Sequence, residues 1–267
     1  NGEVIKDNDE HPTERLTVAG TLAKSYNTGL VQIGDTIEDS VRYQYMMDFG
    51  LGARTGIELP GESSGVVYPY ENWAGRTHYT TMFGQAWSAT TLQLGQMMSV
   101  IANKGVYIPL HLVDGVESVD GDYTPTAVGE SRQVITEQSA HTMLEMMQAV
   151  TDPHSTGWRA RVEGYNVAGK TGTAQVPDAS GALTKRAGTF VGTIPAEDPK
   201  IIFASIIYNA AGAGYGGDTG AAVFSGTAEF AMRQMKVAPS QVPLVRLPWT
   251  EAELIESQQS QPVSYTH

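Results

Sequence analysis

The sequence predicts an α/β domain in which an antiparallel sheet is flanked by helices, and three observations carry that prediction. Helix-period apolar runs recur along the chain up to Thr151, the pattern turns extended between Tyr165 and Tyr208, and one more helical run follows at Thr219–Met235. The last two extended runs are joined by Pro195-Ala196-Glu197-Asp198-Pro199, a strong turn signal that makes them an antiparallel hairpin. Helices, then a hairpin, then a helix describe a layered domain rather than a doubly wound one.

The elements follow in order. Leu16, Ala19, Ala23 and Val31 mark one helix from about Thr13 to Ile33, with Thr13 as its N-cap. A second helix is expected from about Asp35 to Phe49, stopped by Gly50, which suits a left-handed cap. Residues 51–87 are rich in Gly, Pro and aromatics and read as loops with short strands. Helices follow at about Thr90–Lys104, closed by Gly105, and at about Thr136–Thr151, apolar at Met143, Leu144, Met147 and Val150. Strands are expected at Tyr165–Gln175, Gly188–Ile194 and Ile201–Tyr208. The tail from Val237, carrying Pro239, Pro243 and Pro248, is expected to run extended over the surface. The domain division is therefore residues 1–236, followed by an extended tail at 237–267.

The 267 residues are 41% hydrophobic and 17% charged, an ordinary globular balance with ample length for a core. A formal charge of −12, from 17 basic and 29 acidic side chains, argues against a nucleic-acid partner, since phosphate backbones repel such a surface. There is no cysteine, which rules out disulfides and thiolate metal sites, and the six histidines are scattered without ligand spacing. No metal and no organic cofactor is expected. No apolar run is long enough for a signal peptide or a membrane span, and the polar start without Met leads to the expectation of a longer parent.

Three short motifs compete for the chemistry. Gly61-Glu62-Ser63-Ser64-Gly65 fits the G-x-S-x-G elbow, which needs a strand before it and a helix straight after; Pro60 precedes it and Val66-Val67-Tyr68-Pro69 follows, so a surface turn is the better reading. Gly212-Ala213-Gly214-Tyr215-Gly216-Gly217 fits G-x-G-x-x-G, but it has no second parallel strand and no acidic residue downstream, and reads as a glycine-rich connection. Lys170-Thr171-Gly172-Thr173 lies on a strand-patterned segment with glycines on both sides, where a ligand backbone can come close. A lysine and two hydroxyls on such a strand suit a substrate carboxylate.

With Lys170-Thr171-Gly172 as K-T-G and Ser25-Tyr26-Asn27 as S-x-N, in that order and at a separation usual for the family, the chain resembles the penicillin-binding serine acyltransferases. Flanking segments resemble the class B, division-type subgroup: Phe49-Gly50-Leu51-Gly52, Gly56-Ile57-Glu58-Leu59-Pro60-Gly61-Glu62, Phe83-Gly84-Gln85, Thr91-Leu92-Gln93-Leu94, Gly192-Thr193-Ile194-Pro195-Ala196 and Tyr215-Gly216-Gly217. The family usually has Gly at Ala86 and Pro at Thr91. The resemblance covers about residues 3–236 and implies the penicillin-binding transpeptidase and serine β-lactamase-like fold, with the N-terminal portion of the domain outside this chain.

The third family motif, S-x-x-K, begins at no serine here; the nearest pattern, Thr21-Leu22-Ala23-Lys24, sits inside the helix leading to Ser25. The resemblance therefore implies that the nucleophilic serine lies upstream, on a companion or parent segment, and that this chain alone is inactive. It implies a parent anchored by one N-terminal membrane helix, with its catalytic domain on the extracytoplasmic face of a bacterial membrane. The implied substrates are peptidoglycan stem peptides ending in D-Ala-D-Ala, the implied inhibitors are β-lactams, and glycosyltransferase and divisome proteins are partners by analogy. The absent serine would form the acyl-enzyme and the S-x-x-K lysine would act as its base. Ser25 would relay the proton, Asn27 would bond the donor strand, and Lys170 would supply positive potential. Thr171 and Thr173 would bind the terminal carboxylate beside Gly172, and the Thr173 backbone N–H would complete the oxyanion hole. A non-catalytic β-lactam or muropeptide-binding module, a serine β-lactamase and a D,D-carboxypeptidase remain the alternatives.

Overall fold

The computed structural model describes residues 4–176, 180, 182, 184–208 and 214–260. In chain order the helices are α1 (Val18–Lys24), α2 (Asn27–Gly34), α3 (Asp39–Asp48), α4 (Arg76–Thr80), α5 (Thr91–Ala102), α6 (Glu137–Gln148), α7 (Gly220–Gln234) and α8 (Glu251–Gln259). The strands are β1 (Val106–Tyr107), β2 (Gly115–Glu117), β3 (Tyr123–Pro125), β4 (Arg132–Gln133), β5 (Ala168–Val176), β6 (Lys185–Ile194) and β7 (Ile201–Tyr208). The chain divides into two compact units, Asn1–Thr36 with Leu144–His267, and Ile37–Met143.

The first unit is built on the antiparallel sheet β5-β6-β7, in which Lys170 faces Val191, Thr171 faces Phe190 and Gly192 faces Phe203. Helix α7 covers β6 and β7 with Ala221, Phe224, Ala228 and Met232, a spacing that lines one helical face and leaves all four side chains fully buried. The Phe224 ring meets Phe190 at 5.0 Å and Phe203 at 5.7 Å between centroids, and Ala160, Val162, Val167 and Ile194 close this core. Burying each such phenylalanine contributes roughly 1.5–3 kcal/mol, enough for this layer to hold the strands in register.

The expected single helix from Thr13 to Ile33 is instead two. Thr17, not Thr13, caps α1 by accepting from the Gly20 N–H, and the helix ends at Ser25, which takes a left-handed conformation (φ 57°, ψ 39°) and donates its N–H to the Thr21 carbonyl. Tyr26 is extended, and α2 begins at Asn27. The apolar spacing continues across this break, because periodicity reports which face is buried and is blind to a two-residue interruption.

The tail is also corrected. From Val237 to Pro248 it runs without regular structure, held by the Tyr165 hydroxyl on the Val237 carbonyl (2.7 Å) and the Asn166 N–H on Ser240 Oγ (2.9 Å). It then forms α8, started by a capping box between Thr250 and Glu253. The last proline before it, Pro248, precedes the cap, so nothing in the sequence interrupts the helix that follows.

In the second unit α3 stops at Gly50 (φ 93°), as its sequence requires. Helix α5 opens on a capping box in which Gln93 Oε1 accepts from Thr90 N–H while its amide donates to the Ala53 and Ser64 carbonyls, both at 2.8 Å. That one buried amide ties the helix start to the Gly-rich segment before it. Strand β1 pairs with β4 and β2 with β3, both antiparallel. Residues 51–87, expected as loops with short strands, hold α4, tight turns at Tyr70–Asn72 and Thr81–Phe83, and a single bridge from Val66 to Ser88. That bridge, not a helix, follows Gly61–Gly65, so the segment is no nucleophile elbow. Of the other glycine motif, Gly212 and Ala213 lie outside the described residues, and the strand before it, β7, is antiparallel to β6.

Candidate active site

The left-handed turn between α1 and α2 and the N-terminal half of β5 come together in the first unit. Lys170 leans from β5 and donates from Nζ to Ser25 Oγ at 2.8 Å and to the Thr171 carbonyl at 2.8 Å. Its side chain is half-buried, and burial pushes its pKa down from 10.5 to about 8. The ammonium is therefore easier to discharge than a solvated lysine, while two oxygen acceptors fix its direction.

Ser25 reaches this position because α1 ends in a left-handed residue. A non-glycine residue there costs roughly 1–2 kcal/mol, and the Ser25 N–H to Thr21 bond together with the packing of α1 holds it in place. Two hydroxyls from the turn after α6 reinforce the α1 end: Ser155 Oγ donates to the Ala23 carbonyl at 2.8 Å, and Thr156 Oγ1 donates to the same oxygen at 3.3 Å. Thr171 Oγ1 in turn donates to Thr156 Oγ1 at 3.0 Å. A chain of contacts thus runs from β5 through Thr156 to the last turn of α1. Thr156 was not singled out from the sequence, and no motif marks it.

Thr173 sits two residues along β5, exposed, with Oγ1 accepting the Gly216 N–H at 3.1 Å. This bond uses a lone pair and leaves the Thr173 hydroxyl proton directed elsewhere. Gly216 can come so close because it lacks a side chain: a Cβ there would strike the carbonyl oxygens of Thr189 and Gly172. Ser25, Lys170, Thr171, Gly172 and Thr173 therefore share one locality. Asn27 stands at the first position of α2 and its amide donates to the Lys6 carbonyl at 3.3 Å rather than toward Lys170.

The family model of the penicillin-binding-protein transpeptidase domain matches residues 2–229 of this chain. The chain belongs to that transpeptidase family. It is similar to the penicillin-binding protein PbpB of Mycobacterium tuberculosis, 34% identical over 91% of this chain and 37% of that protein. It is similar also to the peptidoglycan D,D-transpeptidase FtsI of Escherichia coli, 32% identical over 90% of this chain and 39% of that one. The crystal structure of penicillin-binding protein 3 from M. tuberculosis complexed with ampicillin superposes with a TM-score of 0.85 at 33% identity, covering 91% of this chain and 57% of that one. The chain thus corresponds to the C-terminal transpeptidase part of a class B, division-type penicillin-binding protein, and spans well under half the length of these curated relatives. Among the described residues of this transpeptidase domain, no helix is long and apolar enough to cross a membrane.

Proposed function

We propose that this transpeptidase domain takes part in peptidoglycan cross-linking by serine acyl transfer, and that the nucleophilic serine comes from an S-x-x-K segment that these residues do not include. The observation that supports the reading is the 2.8 Å contact from Lys170 Nζ to Ser25 Oγ, which joins two family motifs at one point. The serine oxygen attacks the penultimate carbonyl of a stem peptide ending in D-Ala-D-Ala; the peptide C–N bond breaks, D-Ala leaves, and an ester remains on the serine. The proton released by the serine passes through the S-x-x-K lysine and the Ser25 hydroxyl to the departing amine. Lys170 holds the Ser25 hydroxyl in line and supplies positive potential for the terminal carboxylate, which the Thr173 hydroxyl binds together with the Thr171 hydroxyl once that proton turns from Thr156 to the substrate. The Thr173 N–H stabilises the oxyanion together with the N–H of the serine, each such donor contributing about 2.7–4 kcal/mol in hydrolases where it has been removed. The amine of a second stem peptide then attacks the ester, forms the cross-link and frees the serine. A β-lactam presents the same carbonyl and carboxylate and acylates the same serine. The parent is held on the extracytoplasmic face of the membrane, where its substrate is found.

Intact-mass spectrometry before and after incubation with benzylpenicillin tests the proposal. The expected result is a stable adduct on the polypeptide that bears S-x-x-K when this domain is present with it. An adduct on a residue of the 267 described by this sequence, or none on the complete protein, overturns it.

A further inference from the structure

The turn that carries Ser25 lacks a local cap. Position 26, the N-cap of α2, is a tyrosine that makes no side-chain cap bond, so the first-turn N–H groups of α2 have no partner of the usual kind. A segment far upstream supplies one. Asp7 Oδ1 accepts the Thr28 N–H at 3.0 Å and Oδ2 accepts the Thr28 hydroxyl at 2.5 Å. Thr28 is the second residue of α2, where a capping side chain normally bonds.

The same segment grips the residues on either side. His11 Nε2 lies 3.0 Å from Asp7 Oδ2, and the His11 ring stacks flat on Tyr26, centroids 3.8 Å apart and planes 8° from parallel. Glu14 receives Lys24 Nζ at 2.6 Å and the Tyr26 hydroxyl at 3.4 Å. The Lys6 carbonyl takes the Asn27 amide. Lys24, Tyr26, Asn27 and Thr28 are all tied to residues 6–14, and Ser25 alone in this stretch directs its side chain to Lys170.

We infer that residues 6–14 are a clasp that positions the S-x-N serine, with Asp7 its central positioning residue, acting through Thr28 on the direction of Ser25 Oγ. The carboxylate is suited to this: burial alone would raise its pKa, but the bonds from Thr28 and His11 outweigh burial and hold it below the ordinary range, so it stays ionised as an acceptor. The consequence for catalysis rests on the acyl transfer proposed above; the clasp itself does not.

Two readouts on the complete protein separate these. The first is amide exchange at Thr28 with an NMR titration of Lys170. Asp7→Ala is expected to speed Thr28 exchange and to move the Lys170 titration upward from about 8, since a loosened Ser25 lets water reach the ammonium. The second is acylation by benzylpenicillin. Asp7→Ala is expected to slow the acylation step by ~10- to 10²-fold with unchanged non-covalent affinity, the signature of lost alignment rather than lost binding. Asp7→Asn keeps an acceptor for the Thr28 amide and is expected to restore most of the rate. Thr28→Val removes only the hydroxyl contact and is expected to slow acylation by a smaller factor, which keeps the inference testable if Asp7→Ala folds poorly. Wild-type acylation in both Asp7→Ala and Thr28→Val, or unchanged Thr28 exchange, overturns the clasp. A wild-type protein that is never acylated overturns the proposed function instead, and the exchange and titration results still decide the clasp.

Discussion

Lys170 Nζ and Ser25 Oγ lie 2.8 Å apart although 145 residues separate them in the chain. The contact joins β5 to the end of α1, and the acyl-transfer chemistry proposed for the complete protein depends on it. Replacing Lys170 by Ala removes the donor to Ser25 and the positive charge together. We expect benzylpenicillin acylation of the complete protein to fall by about 10²-fold or more, in line with the loss of a preorganised electrostatic group. Stopped-flow acylation kinetics check this, and a rate within a few-fold of wild type would remove Lys170 from the machinery.

The depressed pKa of Lys170 gives stability a definite pH slope. Its value falls from 10.5 to about 8 because burial disfavours the charged form. Below about pH 8 the folded and unfolded chains both hold the proton, and the cost of burying the ammonium is fully present. Between about pH 8 and 10.5 the folded protein has released a proton that the unfolded chain still binds, so stability rises with pH there. Lys170→Met abolishes that slope. The stability of wild type relative to Lys170→Met should therefore be greater at pH 10 than at pH 7, as measured from denaturant midpoints at each pH; a constant difference contradicts the buried-lysine assignment.

Much of this arrangement was legible in the sequence, and the parts that were not have identifiable reasons. Strand β7 matches its expected limits at Ile201 and Tyr208, because a nearly continuous apolar run follows the Pro195–Pro199 turn, and α7 differs from the expected Thr219–Met235 by one residue at each end, because its period-3.6 burial is written into its apolar spacing. Short motifs single out Lys170 and Ser25, and the fold brings the two side chains into contact. Local propensity does not show the break at Ser25: the residues on either side of it, Ala23 and Thr28, are bonded by Ser155, Thr156 and Asp7, which lie far away in the sequence. Helix α8 is hidden behind three prolines upstream that mark the tail as extended, although Thr250 and Glu253 spell a capping box.

Gly216 tests how closely the loop before α7 must approach β5. Its N–H bonds Thr173 Oγ1, and a Cβ at this position would collide with the Thr189 and Gly172 carbonyl oxygens, both backbone atoms that cannot swing away. Gly216→Ala must push the loop off the strand. The expected cost is about 1–3 kcal/mol of stability, as for other overpacked sites, together with slower acylation because Thr173 loses the bond that orients its hydroxyl. Denaturant unfolding and acylation kinetics on one preparation check both; retention of wild-type stability would show that the loop has another way to sit.

Ser25 carries two separable properties, a hydroxyl and a left-handed backbone, and a pair of variants pulls them apart. Ser25→Ala removes the hydroxyl that accepts from Lys170 but leaves a Cβ at φ 57°. Ser25→Gly removes the same hydroxyl and also the steric penalty at that φ, which is worth about 1–2 kcal/mol. Part of the gain is returned because glycine gives the unfolded chain more freedom. Ser25→Gly should therefore be at least as stable as Ser25→Ala, while both acylate more slowly than wild type and at similar rates, because the proposed relay uses the oxygen and not the Cβ. Thermal unfolding compared with acylation rates for the two variants decides the point. Equal slowing with the stability order reversed would mean that Ser25 is not held against an unfavourable backbone, and wild-type acylation in either variant would remove its hydroxyl from the proton path.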